Sequence, residues 1–207
     1  MAKIISIEFP EAAILAAEVL CAGELIVLPT DTVYGVGARI DADAINRIFA
    51  AKQRPPEKAI PVLVADVDGV ELVAREFPDA ARRLADAFWP GPLTLALPKR
   101  DGLPANLSQL DTVGVRVPDH EGARAVIQAA GGALAVTSAN RSEEPPACSI
   151  QEAIGYLVDR VALYLDGGPC SGGVPSTVVT FEGETPRILR VGPISESQIW
   201  ATAAKKL

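Results

Sequence analysis

Short apolar runs recur along this chain, and each closes on a polar or glycine-bearing loop. They are Leu25–Leu28, Ile60–Val64, Leu93–Leu97, Val113–Val117 and Leu134–Thr137. Segments of four or five residues rich in Leu, Ile and Val and bounded by turn signals are too brief for helices and read as strands buried within a sheet. Between them lie segments with helical character: Pro10–Ala22, a stretch capped by Asp41 or Asp43 and ending near Lys52, Val70–Glu76, Asp79–Phe88, Gly122–Ala130 and Ile150–Leu157. Strong punctuation separates them. Gly23 stops the first helix, Pro55-Pro56 forbids continuation of the second, and Trp89-Pro90-Gly91-Pro92 breaks the chain sharply. Leu163–Leu165 adds a strand, Thr177–Phe181 and Arg187–Val191 form an edge hairpin around Glu182-Gly183-Glu184, and a helix over Glu196–Ala203 closes the domain.

Strands and helices therefore alternate, but irregularly. That pattern predicts an α/β fold with a mixed sheet and helices packed on it. A length of 207 residues fits one domain spanning 1–207. Ligands of α/β sheets tend to bind beyond strand ends, so the polar loops that follow the apolar runs are where function is to be sought.

Two such segments stand out. Pro29-Thr30-Asp31-Thr32-Val33-Tyr34-Gly35 places hydroxyls, a carboxylate and a phenol just past a strand. Lys52-Gln53-Arg54-Pro55 places two cations at a helix end. Together they suit a small polar ligand with a phosphate tail. Taken singly, each candidate has an ordinary role. Lys52 and Arg54 read as a solvated helix end, Arg116 as a snorkelling strand residue, Arg190 as an edge-strand charge, and Ser138-Ala139-Asn140 as a local turn. Their joint occurrence with the Thr-rich loop favours a ligand site.

Composition narrows the chemistry. The net charge of −7 makes the chain a poor default binder of nucleic acid, while a local basic cleft for a small anion remains compatible with it. Cys21, Cys148 and Cys170 are odd in number and widely spaced, which argues against a disulfide framework or a zinc ribbon. His120 is the sole histidine, reads as a surface turn residue, and leaves no material for a Ser-His-Asp triad. Cys170 reads as a packed loop thiol, and the Gly-rich stretch Asp166–Pro175 lacks the spacing and lysine of a Walker loop. The first residues do not read as a signal peptide and no apolar run is long enough to span a bilayer, so a soluble cytoplasmic protein is expected, with no membrane association.

Seven motifs in order carry a family resemblance. They are Pro29–Gly35, Lys52-Gln53-Arg54-Pro55, Trp89-Pro90-Gly91-Pro92-Leu93-Thr94, Val115-Arg116-Val117-Pro118, Thr137-Ser138-Ala139-Asn140, Pro175-Ser176-Thr177-Val178-Val179 and Leu189-Arg190-Val191-Gly192. The chain, over roughly Ile14–Gly192, resembles the threonylcarbamoyl-AMP synthase family with its YrdC-like domain. The resemblance implies a twisted mixed sheet with flanking helices around a deep basic cavity. It implies condensation of L-threonine, bicarbonate and ATP, with Mg²⁺ accompanying ATP, to threonylcarbamoyl-AMP and pyrophosphate. The product would pass to downstream tRNA threonylcarbamoyl-transferase machinery for the N6-threonylcarbamoyladenosine modification, without tRNA having to bind this chain.

By the same resemblance, Thr32, Arg116, Ser138 and Ser176 would hold threonine. Arg54, Lys58, Thr112, Asn140, Cys148 and Arg190 match nucleotide-side positions, and Lys52 with Arg54 forms the catalytic basic cluster, Lys52 facing the phosphates. Lys58 stands where some relatives have Asn, Cys148 where Thr is common, and Leu63 where some place a histidine. The short form implied here leaves Trp200–Leu207 as a tail, so closure of the site would fall to loops or partners. The amine of threonine is itself the nucleophile in such a reaction, so a chain with one histidine suffices. Two alternatives are an RNA-binding module using the basic cleft and a hydrogenase-maturation carbamoyl-adenylate domain. The latter's acylphosphatase-like and Cys-x-x-Cys segments have no counterpart in this sequence.

Overall fold

A computed structural model describes residues 2–170 and 172–204. Ser171 of the Gly-rich loop and Lys205–Leu207 of the expected tail lie outside the described residues. Trp200 belongs to the last helix rather than to a tail.

Among the described residues, ten strands form one mixed sheet. In chain order they are β1 (Lys3–Ser6), β2 (Ile26–Leu28), β3 (Gly35–Ala38), β4 (Val62–Val64), β5 (Leu93–Pro98), β6 (Thr112–Arg116), β7 (Ala133–Ser138), β8 (Leu163–Asp166), β9 (Thr177–Glu182) and β10 (Thr185–Arg190). Across the sheet the order is β1-β8-β2-β3-β7-β4-β6-β5-β9-β10. The helices are α1 (Ala12–Cys21), α2 (Ala42–Lys52), α3 (Asp79–Phe88), α4 (Glu121–Ala129), α5 (Ile150–Leu157) and α6 (Glu196–Ala203).

Local chemistry sets the helix ends. Asp41 caps α2 by accepting the Ala44 N–H at 2.9 Å, and Gln53 closes it in the left-handed region at φ 52°. Ser195 and Gln198 form a reciprocal capping box on α6. His120, expected as a surface turn residue, is instead the half-buried N-cap of α4, with Nδ1 accepting the Ala123 N–H at 3.3 Å. The segment expected to be helical over Val70–Glu76 is a single 3₁₀ turn over Asp68–Leu72. Gly69 is wedged there, since a Cβ on it would lie 2.9 Å from Val64 Cβ.

Residue alternation along the strands separates two cores. Val27, Val62, Val113, Val115, Leu95 and Val179 face the larger core, with α2, α3, α5 and α6 packed against it. Ile26, Leu28, Leu63, Leu134, Leu163 and Leu165 face the smaller core, covered by α1 and α4. Further along this second face the side chains become small or polar: Thr112, Gly114 and Arg116 on β6, Thr94 and Ala96 on β5, Ser176 and Val178 on the β9 segment. A face that carries such residues cannot gain much by burying them under a helix. It forms the floor of a cavity instead.

Candidate active site

The cavity has a volume of about 340 Å³. Its floor is the second face of the sheet, and its walls come from the Thr-rich loop after β2, the Arg54–Pro61 segment, the end of β7 and the Pro175–Ser176 approach to β9. Among the described residues that line it, Arg54, Arg116 and Arg190 are the cations, and none is Asp or Glu.

The Thr-rich loop is built around one hydroxyl. Thr30 Oγ1 donates to the Val33 carbonyl at 2.7 Å, accepts the Thr32 and Val33 N–H groups at 3.2 Å each, and lies 3.0 Å from Thr32 Oγ1. Such a local network satisfies backbone groups that no strand pairs. Tyr34 points the other way. Its phenol donates to the Gly168 carbonyl at 2.7 Å and accepts the Gly167 N–H at 3.1 Å, so it fastens the Gly-rich loop instead of lining the cavity. Burial pushes the Tyr34 phenol up to about 12, so it remains a donor. Gly172 completes the join: a Cβ there would meet the Asp31 carbonyl at 2.7 Å.

Arg116, at the end of β6, is 6% exposed, far from a snorkelling residue. Its Nε donates to the Gly91 carbonyl at 2.9 Å, Nη1 to Thr32 Oγ1 at 2.9 Å and Nη2 to Asp31 Oδ1 at 2.5 Å. The sharp Trp89–Pro92 turn thus supplies an acceptor, and Asp31 also takes the Asp119 N–H at 3.0 Å. Burial draws the guanidinium pKa down and Asp31 opposes that shift. Three of five N–H donors are used, leaving two for a ligand carboxylate.

Ser176 is held from two sides. Its Oγ lies 2.7 Å from Thr94 Oγ1, and Arg190 Nη2 donates to the same Oγ at 3.2 Å and to the Ser176 carbonyl at 2.8 Å. Arg190 therefore does more than discourage edge pairing on β10. Arg54 Nη2 donates to the Ala59 carbonyl at 2.8 Å, which turns the guanidinium onto the cavity wall.

Lys52 does not take the solvated helix-end role open to it when it is read singly. It is 1% exposed. Its ammonium donates to the Ser138 carbonyl, to the Asn140 carbonyl at 2.6 Å and to Asn140 Oδ1 at 3.0 Å, while its own carbonyl accepts the Ser142 N–H at 2.9 Å. Asn140 Oδ1 also accepts from Ser138 Oγ at 2.5 Å. Burial, and then the neighbouring Arg54 charge, pushes the Lys52 ammonium down to about 7.

Of the residues expected to hold ligands, Thr32, Arg54, Thr112, Arg116, Ser138, Ser176 and Arg190 meet on the cavity wall. Lys52 and Asn140 lie behind Ser138, in contact with it. Lys58 pairs with Glu143 at 3.1 Å, where both side chains are exposed, and joins the two polar loops. Cys148 donates its N–H to Glu152 Oε2 at 2.7 Å, and its carbonyl accepts the Cys170 N–H at 2.8 Å. Burial pushes the Cys170 thiol up, which disfavours the thiolate a nucleophile needs. Leu63 lines the floor in register with Arg116. Sequence reasoning missed Thr94 and Gly114 as floor residues; their signal was a polar or small residue at every second position of an otherwise apolar strand.

A mixed sheet with hydroxyls and three arginines gathered on one open face defines an α/β protein with a polar cavity built over its sheet. The Sua5/YciO/YrdC family model, described as "Telomere recombination", matches residues 18–192, and the chain belongs to that family. The Bacillus subtilis threonylcarbamoyl-AMP synthase is 40% identical over 189 residues, covering 90% of this chain and 55% of the relative. A Mycobacterium tuberculosis protein, given the same name provisionally, is 41% identical over 180 residues, covering 86% of this chain and 82% of the relative. The crystal structure of Pyrococcus abyssi Sua5 complexed with L-threonine superposes with a TM-score of 0.92 at 35% identity, covering 99% of this chain and 61% of that one. The chain thus spans about half to four-fifths of the length of these relatives.

Proposed function

We propose that this chain is a threonylcarbamoyl-AMP synthase that joins L-threonine, bicarbonate and ATP and releases pyrophosphate. The observation that carries the reading is Arg116. It is a buried guanidinium, oriented by Asp31, Thr32 and Gly91, with two N–H donors left on the wall of a cavity that also holds Arg54 and Arg190. A free amino-acid carboxylate suits the first, and the phosphates of a nucleotide suit the other two. Membership of the family and the likeness to a threonine-bound relative support the same assignment.

The chemistry asks for positioning more than for a protein nucleophile. The uncharged threonine amine attacks the carbon of bicarbonate, and loss of water leaves the N-carboxylate. An oxygen of that carbamate then attacks the α-phosphorus of ATP, and the bond to the β-phosphate oxygen breaks to release pyrophosphate. Both partners in the second step are anions, so arginines at the meeting point lower the barrier by stabilising charge. Thr32, Ser138 and Ser176 orient the amino acid, while Arg54, Thr112 and Arg190 face the nucleotide. Lys52, Asn140, Lys58 and Cys148 act through the loops that carry those residues. Mg²⁺ enters with ATP as part of that substrate; the described residues include no group of three His, Cys, Asp or Glu that could hold an ion.

The product is a reactive mixed anhydride. It suits onward transfer to the tRNA-modifying machinery in the cytoplasm, with no need for tRNA to bind here. No helix among the described residues is long and apolar enough to cross a membrane. The RNA-binding alternative is not favoured, given a net charge of −7 and relatives named as synthases. Pyrophosphate release tests the proposal. It should require ATP, threonine and bicarbonate together, and release independent of threonine would overturn it.

A further inference from the structure

Thr94 is buried at 3% exposure yet lies on the cavity floor. Two neighbours fix how its branched side chain is turned. On one side is Gly114: a Cβ there would come within 3.1 Å of Thr94 Cγ2, so the absence of a side chain makes room for the methyl group. On the other side, Thr94 Oγ1 meets Ser176 Oγ at 2.7 Å. A β-branched residue has few rotamers open to it, and here the methyl over Gly114 and the hydroxyl towards Ser176 select one.

The position matters because of what stands beside it. The β5–β6 register pairs Leu95 with Val115 and Ala96 with Gly114, so one residue further on Thr94 stands across from Arg116. Ser176 Oγ receives an N–H from Arg190 and shares a hydrogen bond with Thr94. An arginine can only donate, so the Ser176 oxygen accepts there. Of the two hydroxyl hydrogens in the pair, one is used between them and the other is free to point into the cavity. Thr94 decides where that donor sits relative to Arg116.

Resting on the synthase reading, we propose that Thr94 is a specificity-determining residue. It holds Ser176 Oγ beside Arg116, and the hydroxyl pair reads the β-hydroxyl of an amino acid whose carboxylate Arg116 takes. A site built to pair with a hydroxyl rejects an isostere that lacks it, because its own polar groups then lose a partner. Threonine should therefore be preferred over valine through this pair, and Thr94 should act on the amino-acid side while leaving the nucleotide side alone.

The test uses the full chain, with calorimetric titration of threonine, valine and ATP and with steady-state pyrophosphate release. Thr94→Val keeps the shape and removes the hydroxyl; Thr94→Ser keeps the hydroxyl and removes the methyl. Thr94→Val should weaken threonine binding about tenfold, narrow the threonine-to-valine preference by a similar factor, and leave ATP affinity unchanged. Thr94→Ser should restore most of the threonine affinity. Wild-type affinity and preference in Thr94→Val would overturn the inference, as would equal losses for threonine and ATP, the mark of a general structural role. Failure of the wild-type chain to bind threonine at all would instead overturn the synthase reading beneath it.

Discussion

Lys52 Nζ donates to two oxygens of Asn140, the main-chain carbonyl at 2.6 Å and Oδ1 at 3.0 Å. A lysine at the end of α2 therefore braces the loop after β7 from within. Replacing Lys52 with Met keeps the apolar stem and leaves those buried acceptors, and the Ser138 carbonyl, without a donor. The cost should be about 1–3 kcal/mol of stability. Activity should fall at least tenfold, because Ser138 lines the cavity. Urea unfolding and pyrophosphate release measure the two effects.

The same lysine gives a pH dependence of definite sign. In the folded chain its ammonium titrates at about 7, against 10.5 when unfolded. Between those values the unfolded state holds a proton that the folded state has lost, so this group's contribution to stability rises with pH and is lost as pH falls towards 7. The slope is at most about 1.4 kcal/mol per pH unit. Unfolding free energies of the wild type minus those of Lys52→Met, taken at pH 7, 8 and 9, should increase steadily across the series.

Asp31 orients Arg116, and both side chains are largely buried, at 15% and 7% exposure. Removing one partner of such a pair leaves an uncompensated charge. Asp31→Ala should destabilise the fold by about 3 kcal/mol and weaken threonine binding, whereas Asp31→Asn, which can still accept from Nη2, should lose less of both. Thermal denaturation with threonine titration distinguishes the two variants.

Tyr34 ties the Gly-rich loop to the sheet without reaching the cavity. Tyr34→Phe should cost about 1–2 kcal/mol. Faster amide exchange should be confined to the Asp166–Gly173 loop and the Thr-rich loop against it, as read by hydrogen exchange with mass spectrometry.

Much of this fold was legible in the chain. The limits of α5 and α6 follow from their serine caps and apolar spacing, and the strands at β5, β6 and β7 from short Leu- and Val-rich segments bounded by turn signals. β3 was not legible: Gly35-Val36-Gly37-Ala38 has neither bulk nor alternation, and it is a strand because β2 and β7 pair with it on either side. β1 escaped notice as a four-residue edge strand, three of whose residues are exposed. In the site, the order of seven motifs pointed to Arg116 and Ser176, but not to what holds them. Asp31 and Arg116 are 85 residues apart, and Thr94 and Ser176 82 apart, so only the folded sheet brings each pair together. The burial of Lys52 was not legible for a related reason. A cation at a helix end is usually solvated, and only the return of the chain after β7 buries this one.

The most direct measurement follows the carbon. The chain is incubated with ATP, L-threonine and ¹³C-bicarbonate, and the nucleotide products are resolved by mass spectrometry. A threonylcarbamoyl-adenylate carrying one ¹³C, formed together with pyrophosphate and absent when threonine is omitted, is the expected result. Pyrophosphate or AMP produced without a labelled adenylate, or at the same rate without threonine, would contradict it.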